Sequence, residues 1–226
     1  MVGFKFLDMK ITILTDNPNS WILPYVETLI KDLTIRAGSQ NHDITHVFNL
    51  KELLGGDLML ILSCEKILPK KYLDLYKSSV VVHPSKVPHG KGWSPLAWQI
   101  EEGSNKIPVS LFEAVEEVDA GKVYLVDYLN LEGHELNEEI KHKQGLLTIK
   151  MIKEYISNIS SIKGIPQEGK ETFYPKRAKK DNELNINQSL NSQFNLLRTV
   201  DNERYPAHFY RDGIEYILKI YKKDEK

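Results

Sequence analysis

One cysteine, Cys64, stands among 226 residues, so no disulfide can form within the chain. A lone thiol in an apolar context suits a reducing compartment. With no motif around it, Cys64 reads as a small packed hydrophobe rather than a nucleophile. No apolar run approaches the roughly 18 residues of a membrane span. The leader MVGFKFLDMK lacks the apolar core and cleavage site of a secretory signal, and Met9 could serve as an alternative start. The expected location is the cytoplasm. Charge of one sign is also missing: Lys and Arg number 30 against 31 Asp and Glu, a net charge of −1. No long block is basic, which argues against affinity built on nucleic-acid phosphates. No Gly-x-Gly-x-x-Gly follows the first apolar run, so a dinucleotide fingerprint is absent. No His/Cys cluster has metal-ligand spacing, and no metal is expected.

What is present is 41% hydrophobic residues, enough for one large domain or one domain with a small appendage. Residues 10–15 (KITILT) read as a strand. Ser20 is placed to cap a helix over 21–36, carried by Leu23, Val26, Leu29, Ile30 and Leu33. A second strand is expected over 43–48 and a short helix over 50–54. The run DLMLILS at 57–63 is apolar throughout, which predicts a central parallel strand. This β-α-β-α-β order implies right-handed crossovers in an open twisted sheet. Pro69 starts a helix expected over 70–76. Residues 136–159 alternate apolar and charged positions at helical spacing, a long amphipathic helix covering the sheet. Residues 157–170 carry Gly164, Pro166 and Gly169 and read as a linker. Beyond it a helix is expected over 186–200. Asp212-Gly213 marks a hairpin between 207–210 and 215–220.

The organising stretch is 80–124. Val80, Val81 and Val82 end on His83, and a turn follows with Pro84, Ser85, Pro88, Gly90, Gly92 and Pro95. A short helix at 96–101 precedes a second β-branched run, 107–111, and then the acidic loop 116–121 containing Asp119. Loops at the carboxyl ends of strands are where α/β enzymes place their chemistry. A histidine at one strand end and a carboxylate in the loop beyond another suit a general acid/base with an orienting partner. Glu116 and Glu117 read as a solvated rim. Trp93 and Trp98 flank the turn.

These residues resemble the formyltransferases that use 10-formyltetrahydrofolate. The family's turn, His-x-Ser-x-x-Pro followed by Gly and Pro, is matched by His83-Pro84-Ser85-Lys86-Val87-Pro88, Gly92 and Pro95. Its Asp-x-Gly loop is matched by Asp119-Ala120-Gly121, in register with His83. The resemblance implies an α/β, Rossmann-like, mostly parallel twisted sheet with a small C-terminal helix-plus-hairpin unit. The catalytic domain would span 1–160 and the C-terminal unit 161–226, the latter serving the acceptor site or dimerisation. The catalytic residues implied are His83 and Asp119. The formyl donor 10-formyltetrahydrofolate would lie against Ile67, Leu68, Pro69, Val115, Val118 and Asp119. Acceptor contacts are expected from Ser85, Lys86, His89, Gly90, Lys91 and Trp93, and from Arg198, Asn202 and Tyr205.

One position departs from the family. An Asn normally stands two residues before the histidine and donates to the formyl oxygen; here it is Val81. Losing one such donor costs about 100- to 1000-fold in rate. A backbone N–H of the turn, His83 itself, Lys86 or Lys91 would have to replace it, or the chain is a weak enzyme that binds its ligands. The resemblance fits the amino-sugar branch best, with transfer to the amine of a nucleotide-linked, UDP-4-amino-4,6-dideoxy-N-acetyl type of sugar, as on the pseudaminic-acid route to surface glycans. Methionyl-tRNA formylation is the rival. Folate and a nucleotide sugar are thus the expected partners, with no nucleic acid, no membrane, and a possible homodimer through the hairpin.

Overall fold

The structure, a computed structural model, describes residues 8–34 and 42–223. In chain order, β1 (Lys10–Leu14) leads into α1 (Leu23–Thr34) and β2 (Asp43–Val47). A single 3-10 turn, Leu50–Glu52, precedes β3 (Gly56–Ile61), α2 (Lys70–Leu73) and β4 (Tyr76–His83). Then come the two-residue β5 (Lys91–Gly92), α3 (Pro95–Glu101), β6 (Lys106–Glu113), β7 (Val123–Asn130) and the long α4 (Asn137–Asn158). The C-terminal part holds β8 (Phe173–Tyr174), 3-10 turns at Lys179–Asn182 and Asn191–Gln193, α5 (Phe194–Thr199), and the hairpin β9 (Ala207–Arg211) and β10 (Ile214–Leu218).

The six-stranded sheet has the order β2-β1-β3-β4-β6-β7. β1 pairs in parallel with β2 and β3, and β3 with β4, while β6 and β7 join antiparallel. The continuous apolar run in β3 is buried on both faces. Leu58 and Leu60 join Ile11, Ile13, Val26, Leu29 and Ile152 on one side, whereas Met59 and Ile61 join Leu14, Val47 and Tyr76 on the other. Each such side chain contributes on the order of 2 kcal/mol by leaving water. The chain moves to one side of β1 for β2 and to the other for β3. The crevice outside the carboxyl ends of β1, β3 and β4 is therefore the switch point where open α/β sheets bind ligands.

Several local expectations differ. Ser20 does not cap α1 through its side chain: its hydroxyl bonds that of Ser63 at 3.0 Å, and its carbonyl takes the N–H of Leu23. The helix after Pro69 stops at Leu73, and Tyr76, expected to end it, opens β4 with its ring buried and its hydroxyl on Thr12. The helix expected over 186–200 shrinks to Phe194–Thr199. Ile186 and Leu190 are exposed, and the Gln193 side chain bonds both the N–H and the carbonyl of Asn185, holding that stretch in turns. Arg36 lies outside the described residues. The hairpin turns on Asp212 and Gly213, both with positive φ (54° and 79°), as a two-residue primed turn requires. Among the described residues no helix is long and apolar enough to cross a membrane.

Candidate active site

The carboxyl ends of β1, β3 and β4 open into a cleft of about 1060 Å³. His83, the last residue of β4, lies in its floor, 8% exposed, with its ring edge-on to Phe112 at 6.1 Å. The turn behind it is fixed from three sides. Gln99 on α3 donates to the Pro84 carbonyl at 2.6 Å, Ser110 on β6 donates to the Ser85 carbonyl at 2.7 Å, and Ser85 N–H returns to the His83 carbonyl at 2.8 Å. His83 Nε2 stands 3.1 Å from the Gly90 carbonyl and 3.7 Å from Asp119 Oδ2. Both neighbours are acceptors, so the neutral imidazole carries its proton on Nε2 and its lone pair on Nδ1.

Asp119 sits in the loop between β6 and β7 with φ at 52°, a left-handed conformation that Asp tolerates better than most residues. Its Oδ2 accepts the Gly92 N–H at 2.9 Å, and its carbonyl accepts Gln167 Nε2 at 2.8 Å. Gly121 two residues on has no room for a side chain, because a Cβ there would stand 1.8 Å from the Glu113 carbonyl. The pair that the sequence singled out is thus in contact across the cleft floor, each member held by backbone groups.

One wall of the cleft is made by Ile67, Leu68, Val115, Val118 and Asp119, the stretch expected on the folate side. Pro69 is not part of that wall; it caps α2 from an exposed position. Asp16, just past β1, takes the N–H groups of Glu65 and Lys66 at 2.9 Å each and so pins the 64–68 loop to the sheet. Cys64 donates to the Leu14 carbonyl, and burial, aided by the charge of Asp16, pushes its thiol up to about 12, which leaves it un-ionised and inert at neutral pH.

The expected acceptor residues divide. Trp93 and Tyr205 line the cleft. Lys86 and His89 are exposed on the far side of the turn, and Ser85 is buried behind it, 1% exposed. Gly90 presents its carbonyl to His83 but does not border the cleft. Lys91 is 2% exposed, bound to Glu171 at 2.5 Å and set over the Phe173 ring, so neither it nor the exposed Lys86 takes the place beside His83 that the resemblance gives to an Asn. Arg198 is completely buried, donating to Asn105 Oδ1 at 2.5 Å and Asn195 Oδ1 at 2.9 Å and lying 3.7 Å from Glu135. Asn202 donates to the Ile220 carbonyl and fastens the chain behind the hairpin. Arg198 and Asn202 were expected as acceptor contacts from the resemblance, which places an Arg…Tyr-Pro-Ala segment near the acceptor. Their surroundings turn them inward.

Sequence reasoning missed the polar face of α4. Asn137, Lys141, Gln144 and Thr148 all line the cleft, and their spacing places them on one helical stripe. The four positions recur at intervals of four, three and four, but α4 also carries Glu138, Glu139, His142, Lys143, Lys150 and Lys153, so nothing in the sequence set this stripe apart. It also missed Arg177, whose guanidinium pairs with Glu101, lies 4.9 Å over the Trp98 ring and reaches the cleft. Arg204 sits at the rim over the Tyr205 ring at 5.7 Å.

The formyl transferase family model matches residues 30–153, and the chain belongs to that family. A curated relative, the methionyl-tRNA formyltransferase of Borreliella burgdorferi (strain ZS7), is 30% identical over 138 residues, covering 60% of this chain and 44% of its own length. The chain spans about half the length of the curated relatives it matches. Among solved structures, the methionyl-tRNA formyltransferase from Clostridium thermocellum superposes with a TM-score of 0.80 at 23% identity, covering 96% of this chain and 94% of that one. A likely sugar N-formyltransferase from Mycobacterium tuberculosis, Rv3404c, gives 0.74 at 20% identity, covering 96% and 99%. At these identities the structural likeness establishes the fold: an α/β formyltransferase architecture with a mostly parallel central sheet.

Proposed function

We propose that the chain transfers a formyl group from 10-formyltetrahydrofolate to the amine of a nucleotide-linked amino-deoxy sugar. The observation that carries this reading is the continuity of the cleft. It runs from the 64–68 and 114–119 walls, past His83 and Asp119, to Arg204 and Tyr205 at the other end. A donor and an acceptor can therefore meet over one acid/base pair. In this reading the acceptor nitrogen bonds to the formyl carbon as its proton moves to the lone pair on His83 Nδ1, and the Nδ1–H so formed stabilises the charge that develops on the formyl oxygen. The amine proton passes through the His83–Asp119 pair to the folate nitrogen as the old C–N bond breaks.

A sugar nucleotide as acceptor is supported by the rim and by the charge balance. Tyr205 is 63% exposed with the Arg204 guanidinium over its ring, an aromatic face and a cation suited to a base and a phosphate. The chain has no net positive charge with which to hold an RNA backbone. The names of the curated relatives favour a second reading, methionyl-tRNA as acceptor. A mass-spectrometric assay separates the two. The protein is incubated with 10-formyltetrahydrofolate and either a panel of UDP- and dTDP-linked 3- and 4-amino sugars or charged initiator tRNA. Gain of one formyl group on a sugar, lost in His83→Ala and Asp119→Asn, is the expected result. Formylation of the tRNA alone, with a steep salt dependence, would replace the acceptor and keep the chemistry.

A further inference from the structure

The end of the stretch read from its composition as a linker, 157–170, docks along the site together with the residues that follow it. Ile165 exchanges both backbone hydrogen bonds with Val123 at 2.8 Å. Gln167 Nε2 then donates to the carbonyls of Asp119 and Gly121, each at 2.8 Å, one on either side of the loop's turn. Further along, β8 pairs in parallel with β5, so that Lys91 N–H meets the Thr172 carbonyl at 2.9 Å and Trp93 N–H the Tyr174 carbonyl at 3.2 Å. Thr172 N–H donates to the Pro88 carbonyl at 3.2 Å, and Thr172 Oγ1 accepts the Gly90 N–H at 2.8 Å. The Lys91–Glu171 ion pair closes the same seam.

The geometry points to residues 165–174 as a strap that orients the His83–Asp119 pair, with Thr172 and Gln167 as positioning residues. Thr172 holds the N–H of Gly90, and the carbonyl of Gly90 is the acceptor that keeps the proton on His83 Nε2. Gln167 holds the carbonyl of Asp119 while Gly92, in the strand that the strap pairs with, holds its carboxylate. Neither positioning residue borders the cleft. They act through the backbone, as supports of a reacting geometry do. Gly92 shows how close the seam is: its φ is 95°, and a Cβ would meet the Tyr174 carbonyl at 2.5 Å.

The inference rests on the reading of His83 and Asp119 as the reacting pair, so its test includes a measurement that needs no turnover. Long-range proton–nitrogen NMR on the full chain reports the His83 tautomer, assigned by the signal that His83→Gln removes. The wild type is expected to show the Nε2–H form. Thr172→Val removes the acceptor for Gly90 N–H and is expected to let the Nδ1–H form appear. Turnover should fall about 10- to 100-fold with the donor KM unchanged, as for a misplaced catalytic group. Thr172→Ser should restore both. Gln167→Ala, which leaves Thr172 in place, should lower turnover without moving the tautomer, and it carries the comparison if Thr172→Val does not fold. An unchanged tautomer and unchanged turnover in folded Thr172→Val and Gln167→Ala would reduce the strap to packing. A tautomer change with no formyl transfer in any variant, wild type included, would instead count against the reaction assigned above while leaving the strap standing.

Discussion

Gly92 donates its backbone N–H to the carboxylate of Asp119 at 2.9 Å, and both residues hold left-handed backbone conformations, at φ 95° and 52°. The carboxylate is therefore oriented by main chain rather than by a mobile side chain, and the same Oδ2 that accepts the Gly92 N–H faces the imidazole. Gly92→Ala should disrupt this twice, by forcing a Cβ against the Tyr174 carbonyl and by straining its own φ. The expected loss is about 1–3 kcal/mol of stability in a denaturant titration, with turnover of the folded fraction also reduced.

Asp119→Asn keeps the shape and the hydrogen bond from Gly92 but removes the charge beside His83. Turnover should fall about 100- to 10 000-fold, the range that a positioned acid/base contributes. Donor affinity, read by folate fluorescence quenching, should change little. A variant with wild-type turnover would remove Asp119 from the mechanism.

Val81 lines the cleft two residues before His83, on the same strand of the sheet. Val81→Asn would place an amide on that wall. If the oxyanion lacks a full donor set, turnover should rise about 10-fold or more, since one such donor is worth 100- to 1000-fold where it is needed. No rise in the folded variant would mean that His83 or a turn N–H already fills the role.

Arg198 is the largest fully buried side chain of the described residues, and its partner Glu135 is 2% exposed. Arg198→Met should cost about 1–3 kcal/mol, because it removes the guanidinium's hydrogen bonds to Asn105 and Asn195 while Glu135 keeps Lys143 and its backbone amides. The KM for acceptor in the folded fraction should be unchanged. A raised KM with full stability would return Arg198 to the acceptor site.

The Glu135 carboxyl is held at about 2: burial alone would raise it, but hydrogen bonds from Lys143 and from the backbone amides of Glu132 and Gly133 outweigh that. A group depressed from 4.5 to about 2 adds stability that is complete above pH 4.5 and disappears as the pH falls through 2. Denaturant midpoints measured between about pH 5 and 2 should fall with a steeper acid slope for wild type than for Glu135→Gln. Equal slopes would show that other carboxylates dominate acid unfolding.

The apolar run of β3, the amphipathic α4 and the Asp212-Gly213 hairpin were legible in sequence because each is set by local periodicity or turn chemistry. The contact between His83 and Asp119 was legible because the turn His83-x-Ser85-x-x-Pro88 and the loop Asp119-x-Gly121 resemble two family motifs standing in register. The helix over 186–200 was misjudged because Gln193 bonds back to Asn185, a contact that no periodicity encodes. Lys91 and Arg198 were misplaced for a related reason. Their partners, Glu171, Asn105 and Glu135, lie far away in sequence, and only the folded chain shows that these cations are spent on structure. The strap was hidden by its own Gly and Pro content, which describes a flexible tether equally well.

The position of the strap along the chain also imposes a timing. All the strands of the main sheet and the whole of α4 precede Ile165, so a chain growing from its N-terminus can assemble that scaffold first. Gln167, Thr172 and Tyr174 reach the site only afterwards. Synthesis therefore supplies the scaffold before the strap, and a product released between α4 and Glu171 would lack every hydrogen bond that residues 171–174 make to the turn after His83.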